Sequence, residues 1–219
     1  MNKIFDGVFV RQGEFLTKNL IPGERVYGED LARSQGIEYR VWDYTRSKPA
    51  AGLKNGLKNF PIKEGTKILY LGIASGTTAS HFSDIVGNTG IIYGVDIAER
   101  VLRQIIPIAE KRGNIAPILG DTRKPEEYES LIMEKVDVVF EDVASDDQIP
   151  ILIRNCDNFL RSGGYAMIAI KSQSIDVTKR PKEVYREALL ELEKHFEVVE
   201  KVELDPYEKH HMLVVLLKK

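Results

Sequence analysis

From residue 66 onward the chain repeats one pattern, and that pattern permits few folds. Short apolar runs at 67–71, 91–95, 115–119, 136–141 and 164–170 alternate with amphipathic stretches at about 76–86, 98–112, 125–132 and 147–160. Strict strand–helix alternation implies a parallel sheet with helices on both faces. Pro107 falls inside the second of these helices and should kink it or shift its start. After a helix near 181–194, two apolar segments, Phe196–Val202 and Met212–Leu217, are joined by Glu203–His211. That connection is too short for a crossover helix, so the last two strands should form an antiparallel hairpin at or inside the sheet. Such a finish departs from the simple dinucleotide fold.

Before residue 60 the texture differs. Ile4-Phe5, Val8-Phe9-Val10 and Phe15-Leu16 are separated by Gly7, Gln12-Gly13 and later Pro22-Gly23, and Ile37–Trp42 alternates with period two. These are short strands and turns of a small antiparallel unit. Asp43–Pro49 follows; Ser47 or Lys48 precedes a helix whose first turn accommodates Pro49, and Ala50–Leu57 continues it. Asn59–Gly65 is a loop containing Pro61. We therefore expect a β-rich N-terminal domain over residues 1–60 and a larger α/β domain over 61–219.

Lys+Arg is 31 against Asp+Glu 33, so the overall charge carries no nucleic-acid signature, although a local basic face can exist. The single cysteine, Cys156, excludes a disulfide framework and a cysteine zinc cluster; its context, IRNCDNFL, reads as a packed residue. No metal site is expected. No apolar run approaches the ~20 residues of a membrane span. Asp6, Gly7 and Arg11 interrupt the start in a way a signal peptide would not. The expected compartment is the cytoplasm.

Ligands of open α/β sheets bind beyond the carboxyl ends of the strands. Ile68–Leu71 runs into Gly72, a small-residue turn, Gly76 and Thr77-Thr78. Such a loop brings backbone N–H groups close to a ligand, although strand–turn–helix geometry alone also calls for glycine. Three successive strand ends carry acids: Asp96, Asp121 and Asp142. Asp96 follows Gly76 by 20 residues, the spacing of an acid that holds ribose hydroxyls. Asp121 suits an exocyclic amine and Asp142 a cationic group; each alone also suits a helix N-cap. The spacing is G-x-x-x-G without a following G-K-[ST], which disfavours a phosphate-cradling P-loop and makes an adenosyl site a better fit than a dinucleotide.

The stretches YLGIASGTTASHFSDIVG, GDTRKP, VDVVFEDVAS, FLRSGGYAMIAIKS, RSK near residue 47 and DPYEKHH near the end resemble fibrillarin. The likeness runs from about Tyr39 onward. It implies a class I S-adenosylmethionine-dependent methyltransferase fold, Rossmann-like, with a seven-stranded mostly parallel sheet and a C-terminal antiparallel hairpin. The expected activity is 2′-O-methylation of RNA ribose by S-adenosyl-L-methionine. By the same resemblance Gly72, Thr77 and Thr78 line the cofactor site. Asp96 and Ile97 stand where the family usually has Glu-Phe, Asp121 and Thr122 where it has Asp-Ala, and Asp142, Val143, Ala144 and Ser145 where it has Asp-Val-Ala-Gln. Asp96 shortens the reach to ribose, Ile97 keeps an apolar face without aromatic stacking, and Ser145 removes an amide that nearby Gln148 could partly replace.

The family's Lys-Asp-Lys-His set maps onto Lys48, Asp142, Lys171 and His211. A ribose hydroxyl is a poor nucleophile and must be positioned and relieved of its proton. Lys171, helped by Lys48, is the expected base or electrostatic activator, with Asp142 aligning it and His211 positioning the ribose. His210 and His211 read equally as surface residues, and His81 and His195 as structural or exposed. Arg46, Lys48, Lys124, Lys171, Lys179, Arg180 and Lys182 are candidates for a phosphate-contacting rim. No RNA-reading module is present, so the resemblance implies a box C/D guide RNA that selects target rRNA or tRNA, with Nop5 docking directly and L7Ae through RNA. The docking face is sought on the N-terminal unit or an outer helix. Competing readings are a stand-alone methyltransferase on a protein glutamine or a small molecule, and a non-catalytic scaffold.

Overall fold

A computed structural model describes residues 1–219. The N-terminal segments form strands β1 (Asn2–Phe5), β2 (Val8–Arg11), β3 (Glu14–Lys18), β4 (Leu31–Ser34) and β5 (Ile37–Trp42), paired antiparallel in the order β1-β2-β3-β5-β4. Helix α1 (Lys48–Lys54) follows. The alternating part comprises β6 (Lys67–Leu71), α2 (Thr77–Val86), β7 (Ile91–Asp96), α3 (Glu99–Arg112), β8 (Ile115–Leu119), β9 (Val136–Glu141), α4 (Gln148–Phe159) and β10 (Leu160–Lys171). A short α5 (Ser172–Ile175), α6 (Pro181–His195), β11 (Phe196–Glu203) and β12 (His211–Lys218) complete the chain.

The seven-stranded sheet has the order β11-β12-β10-β9-β6-β7-β8. The pairings β10–β9, β9–β6, β6–β7 and β7–β8 are parallel, and β12 runs antiparallel to both β10 and β11. The final hairpin thus places its second strand inside the sheet. Side chains alternate between two apolar layers: on β9, Val138 and Phe140 join one and Val139, between them, the other.

One expectation needs correcting. The stretch 125–132 is not an α-helix but two 3₁₀ turns, Pro125–Glu127 and Glu129–Leu131. Tyr128 anchors them: it is fully buried, stacks on Phe159 and bonds Asn155 through its hydroxyl. Pro125, Tyr128 and Ile132 are buried at helical spacing, but two short turns rather than a helix bring them inward, and Leu131 stays exposed. Pro107, in contrast, does not break α3, which runs unbroken from Glu99 to Arg112. The residue lies on the solvent face, where water can satisfy the carbonyl that a proline leaves unbonded.

The five-stranded sheet packs on α2 and shares its core. Val8, Phe15 and Trp42 belong to the same cluster as Ala79, Phe82 and Ile85. A Cβ on Gly7 would lie 2.8 Å from Ile85 Cγ2, so the β1–β2 turn and the helix touch without intervening side chain. Between sheet and helix lies a buried ionic network. Arg40 pairs with Glu29 and, at 2.9 Å, with Asp84; Arg112 pairs with Asp84 at 2.7 Å; Thr17 Oγ1 and Leu20 N–H donate to the same carboxylate. His81 sits among them, bonded to Thr17 and Tyr27 and stacked on Trp42. Burial and the two arginines push its imidazole well below the ordinary histidine range. A neutral ring that donates from Nδ1 to Thr17 and accepts at Nε2 from Tyr27 satisfies both partners. Cys156 is buried and unpaired, and no helix is long and apolar enough to cross a membrane.

Candidate active site

Parallel strands end on one edge of the sheet, and there the chain opens a cleft of about 310 Å³. Gly72, Ala74, Asp96, Ile97, Asp121, Thr122, Arg123, Asp142 to Ser145, Ile151 and Lys171 line it. The glycine loop forms the floor. Gly72, Ala74 and Gly76 all have positive φ, at 78°, 52° and 90°. A Cβ on Gly72 would stand 3.1 Å from the backbone N of Val143, so the β6 and β9 loops touch through bare backbone.

Asp96 holds the loop in this shape. One carboxylate oxygen accepts Ala74 N–H at 3.0 Å and the other Ala98 N–H at 2.9 Å. Each oxygen retains acceptor capacity toward the cleft. Asp121 is turned to Arg123, which bonds both its oxygens at 3.0 and 3.2 Å and holds its carboxyl below the usual range. Arg123 was not singled out from sequence; it follows Asp121-Thr122 directly. Ile97, 62% exposed, offers an apolar flank. Thr77 and Thr78 are not among the lining residues; the Thr78 hydroxyl instead bonds Ser47 at 2.9 Å. Ser145 faces its own loop and accepts Asp147 N–H at 3.2 Å.

Gln148 does not supply the amide that Ser145 lacks. It is fully buried; its amide nitrogen donates to Val143 O (2.8 Å) and Ala169 O (3.1 Å), and its oxygen accepts Lys171 N–H (2.9 Å). It is a clamp between the β9 loop and the end of β10, a role that a glutamine at a helix start does not announce in sequence.

Four elements converge where the cleft meets Lys171. Asp142 follows β9, Lys171 ends β10, Lys48 starts α1 and His211 starts β12, opposite Lys171 in register. Lys171 Nζ lies 2.9 Å and Lys48 Nζ 3.1 Å from Asp142 Oδ1, and all three side chains are about 15% exposed. Lys171 Nζ also donates to Asp142 O at 2.7 Å. One carboxylate between two ammonium groups leaves a net positive charge at the mouth. Partial burial, reinforced by the Lys48 and Lys171 cations, pulls the His211 imidazole below its ordinary range. Its Nδ1 donates to Lys209 O at 2.8 Å, which leaves Nε2 as an acceptor.

Glu141, immediately before Asp142, is fully buried and neither carboxylate oxygen meets a protein partner. Burial raises its carboxyl well above the usual range. Burial thus disfavours its charged form beside Asp142. Of the candidate basic rim, Lys124 pairs with Glu127, and Lys179 with Asp176 and Glu187; Arg46 lies over the Tyr27 ring. Arg180 and Lys182 have no acidic partner.

A doubly wound sheet with one reversed strand, a glycine loop and acids at successive strand ends defines a class I methyltransferase. Within that class the chain belongs to the fibrillarin family, whose model matches residues 1–219. It is 60% identical over 202 residues to the fibrillarin-like rRNA/tRNA 2′-O-methyltransferase of Thermococcus sibiricus, covering 92% of this chain and 89% of that one. The crystal structure of Aeropyrum pernix fibrillarin with natively bound S-adenosyl-L-methionine superposes with TM-score 0.86 at 51% identity, over 93% of this chain and 88% of that one. Fibrillarin in complex with Nop5p superposes with TM-score 0.90 at 36% identity, over 97% and 98%.

Proposed function

We propose that this chain transfers a methyl group from S-adenosyl-L-methionine to a ribose 2′-hydroxyl of rRNA or tRNA, using Lys48, Asp142, Lys171 and His211. The observation that carries the reading is the pair of lysines held on Asp142 at the mouth of the cleft, beside a neutral His211. The cleft fits an adenosyl ligand. Its floor is the glycine loop, where a Cβ on Gly72 would crowd Val143; Asp96 and Asp121 line it, and Ile97 and Val143 supply apolar walls. When bound, the cofactor supplies an electrophilic methyl group on a sulfonium. Gly72, Asp96, Ile97, Asp121, Thr122 and Asp142 to Ser145 would hold it, with Thr77 and Thr78 supporting the loop from the first turn of α2.

The chain's own residues then act on the hydroxyl. Lys48 and Lys171 favour negative charge on the attacking oxygen. Lys171 Nζ, aligned by Asp142, stabilises that charge as an ammonium group, or takes the hydroxyl proton as a neutral amine once it has released its own to solvent. His211 Nε2 accepts from the ribose and fixes its direction. Residues 1–60 and 61–219 act as a β-rich domain and a methyltransferase domain sharing one core.

The chain has no base-reading module, so target choice falls to a box C/D guide RNA, with Nop5 bound directly and L7Ae bound through the RNA. We place the activity in the cytoplasm, where that RNA would be met. The test is reconstitution. The purified chain alone should leave free RNA unmethylated, and adding Nop5, L7Ae and a guide should direct methylation to the guide-specified ribose. Lys171→Met should abolish transfer while cofactor affinity stays within about twofold. Efficient methylation of a small molecule or a protein glutamine by the chain alone would overturn the reading.

A further inference from the structure

Three elements meet through side chains that the proposed chemistry does not use. Trp42 ends β5, Ser47 precedes α1 and Thr78 is the second residue of α2. Trp42 Nε1 donates to Ser47 Oγ at 2.9 Å, and Ser47 Oγ bonds Thr78 Oγ1 at 2.9 Å. All three residues are buried. An indole only donates, whereas a hydroxyl has one proton and two lone pairs. Ser47 therefore accepts from Trp42 and keeps capacity for Thr78.

The hydroxyl is diverted from its usual local use. A serine preceding a helix ordinarily caps a first-turn N–H. Ser47 makes no such bond, and Pro49, in the first turn, has no N–H to offer. Helix α1 has only 7 residues, too few to hold itself in place. Its start needs an anchor, and Lys48 is its first residue.

The anchor has a particular address. Thr78 stands two residues beyond Gly76, at the end of the loop that floors the cleft. Lys48 Nζ reaches Asp142 across the mouth of that cleft. We infer that Ser47 is a positioning residue: through Thr78 it fastens Lys48 to the glycine loop, so that a ligand that stills the loop also stills Lys48. The inference rests on the proposed catalytic role of Lys48. Lysine side chains carry large rotamer entropy, and misplacement of a reacting group by about 1 Å can cost roughly 100-fold in rate.

The test compares two backgrounds in the reconstituted complex and adds a readout on the isolated chain. Ser47→Ala should lower kcat roughly 10- to 100-fold with KM for S-adenosylmethionine changed less than about twofold. In a Lys48→Met background the same substitution should add almost nothing. The chain has one tryptophan, so its indole N–H resonance needs no assignment. Adding S-adenosylmethionine should slow exchange of that proton with solvent in the native chain and not in Ser47→Ala. If Ser47→Ala does not fold, Thr78→Val removes the partner hydroxyl at equal volume and should give the same pattern. Equal losses in both backgrounds, or indole exchange indifferent to the cofactor, overturns the inference. Full activity in Lys48→Met would instead overturn the catalytic role assigned to Lys48.

Discussion

Asp84→Asn is the sharpest single test of how the N-terminal sheet is held. Asp84 receives Arg40 at 2.9 Å, Arg112 at 2.7 Å, the Thr17 hydroxyl at 2.7 Å and Leu20 N–H at 3.0 Å, and its side chain has no solvent contact. The buried charges balance: Arg40 and Arg112 against Glu29 and Asp84. Neutralising Asp84 leaves one unbalanced guanidinium and turns an amide toward donors. Arg112 keeps Ser80 O and Ser83 Oγ as neutral acceptors, but Asp84 is the one carboxylate it pairs with, and its Nη2 is already unpartnered. Removing one partner of a buried ion network costs about 3–5 kcal/mol, a large part of the ~5–15 kcal/mol that holds a typical domain together. The internal control is Lys111–Glu24, an exposed 2.9 Å pair that also ties the N-terminal part to α3. Glu24→Gln should cost under about 1 kcal/mol. The assay is equilibrium urea unfolding, read as a midpoint shift at constant slope. If Asp84→Asn costs no more than Glu24→Gln, the network is not what fastens the sheet to α2, and the shared apolar core alone does so.

Three further outcomes follow from the same geometry. Gly72→Ala should weaken S-adenosylmethionine binding in a titration and lower stability by at least ~1–2 kcal/mol, because φ is +78° and the new Cβ meets Val143 N at 3.1 Å. Gln148→Leu orphans two carbonyls and Lys171 N–H; it should cost about 2–4 kcal/mol and reduce kcat more than cofactor affinity. Finally, His81 stays neutral when folded, whereas the unfolded chain binds a proton near pH 6.5. Unfolding thus takes up a proton as pH falls below about 6.5, and stability should drop by roughly 1.4 kcal/mol per pH unit there. Urea midpoints at about pH 7.5 and 5.5 should show this, and His81→Gln should flatten it.

The sheet was legible because parallel strands announce themselves as apolar runs at regular spacing, and their carboxyl ends must converge. That alone put Asp96, Asp121, Asp142 and Lys171 on one edge. The segment at 125–132 misled because Pro125, Tyr128 and Ile132 have helical spacing, yet two 3₁₀ turns bury them. The ionic network was invisible for a different reason. Arg40, Glu29, Asp84 and Arg112 are spread over four elements, and each reads locally as an ordinary surface charge. Only the docking of the β-sheet on α2 removes them from water together. Gln148 and Ser47 escaped likewise, since both bind groups distant in sequence. Lys48 needed the family resemblance, as did the choice of His211 over its neighbour His210, although the start of the last strand at the sheet end already drew attention to that pair.

The reversed strand β12 also bears on how the protein is made. It lies between β10 and β11 rather than at an edge, yet of the seven strands of this sheet it comes last in the sequence. Until residues through Leu217 have left the ribosome, β10 presents an unpaired apolar flank and β11 has no sheet to join. The nascent chain can complete neither its sheet nor the edge that carries His211 before that moment. A truncation of this strand should therefore yield an aggregating chain, not a smaller folded protein.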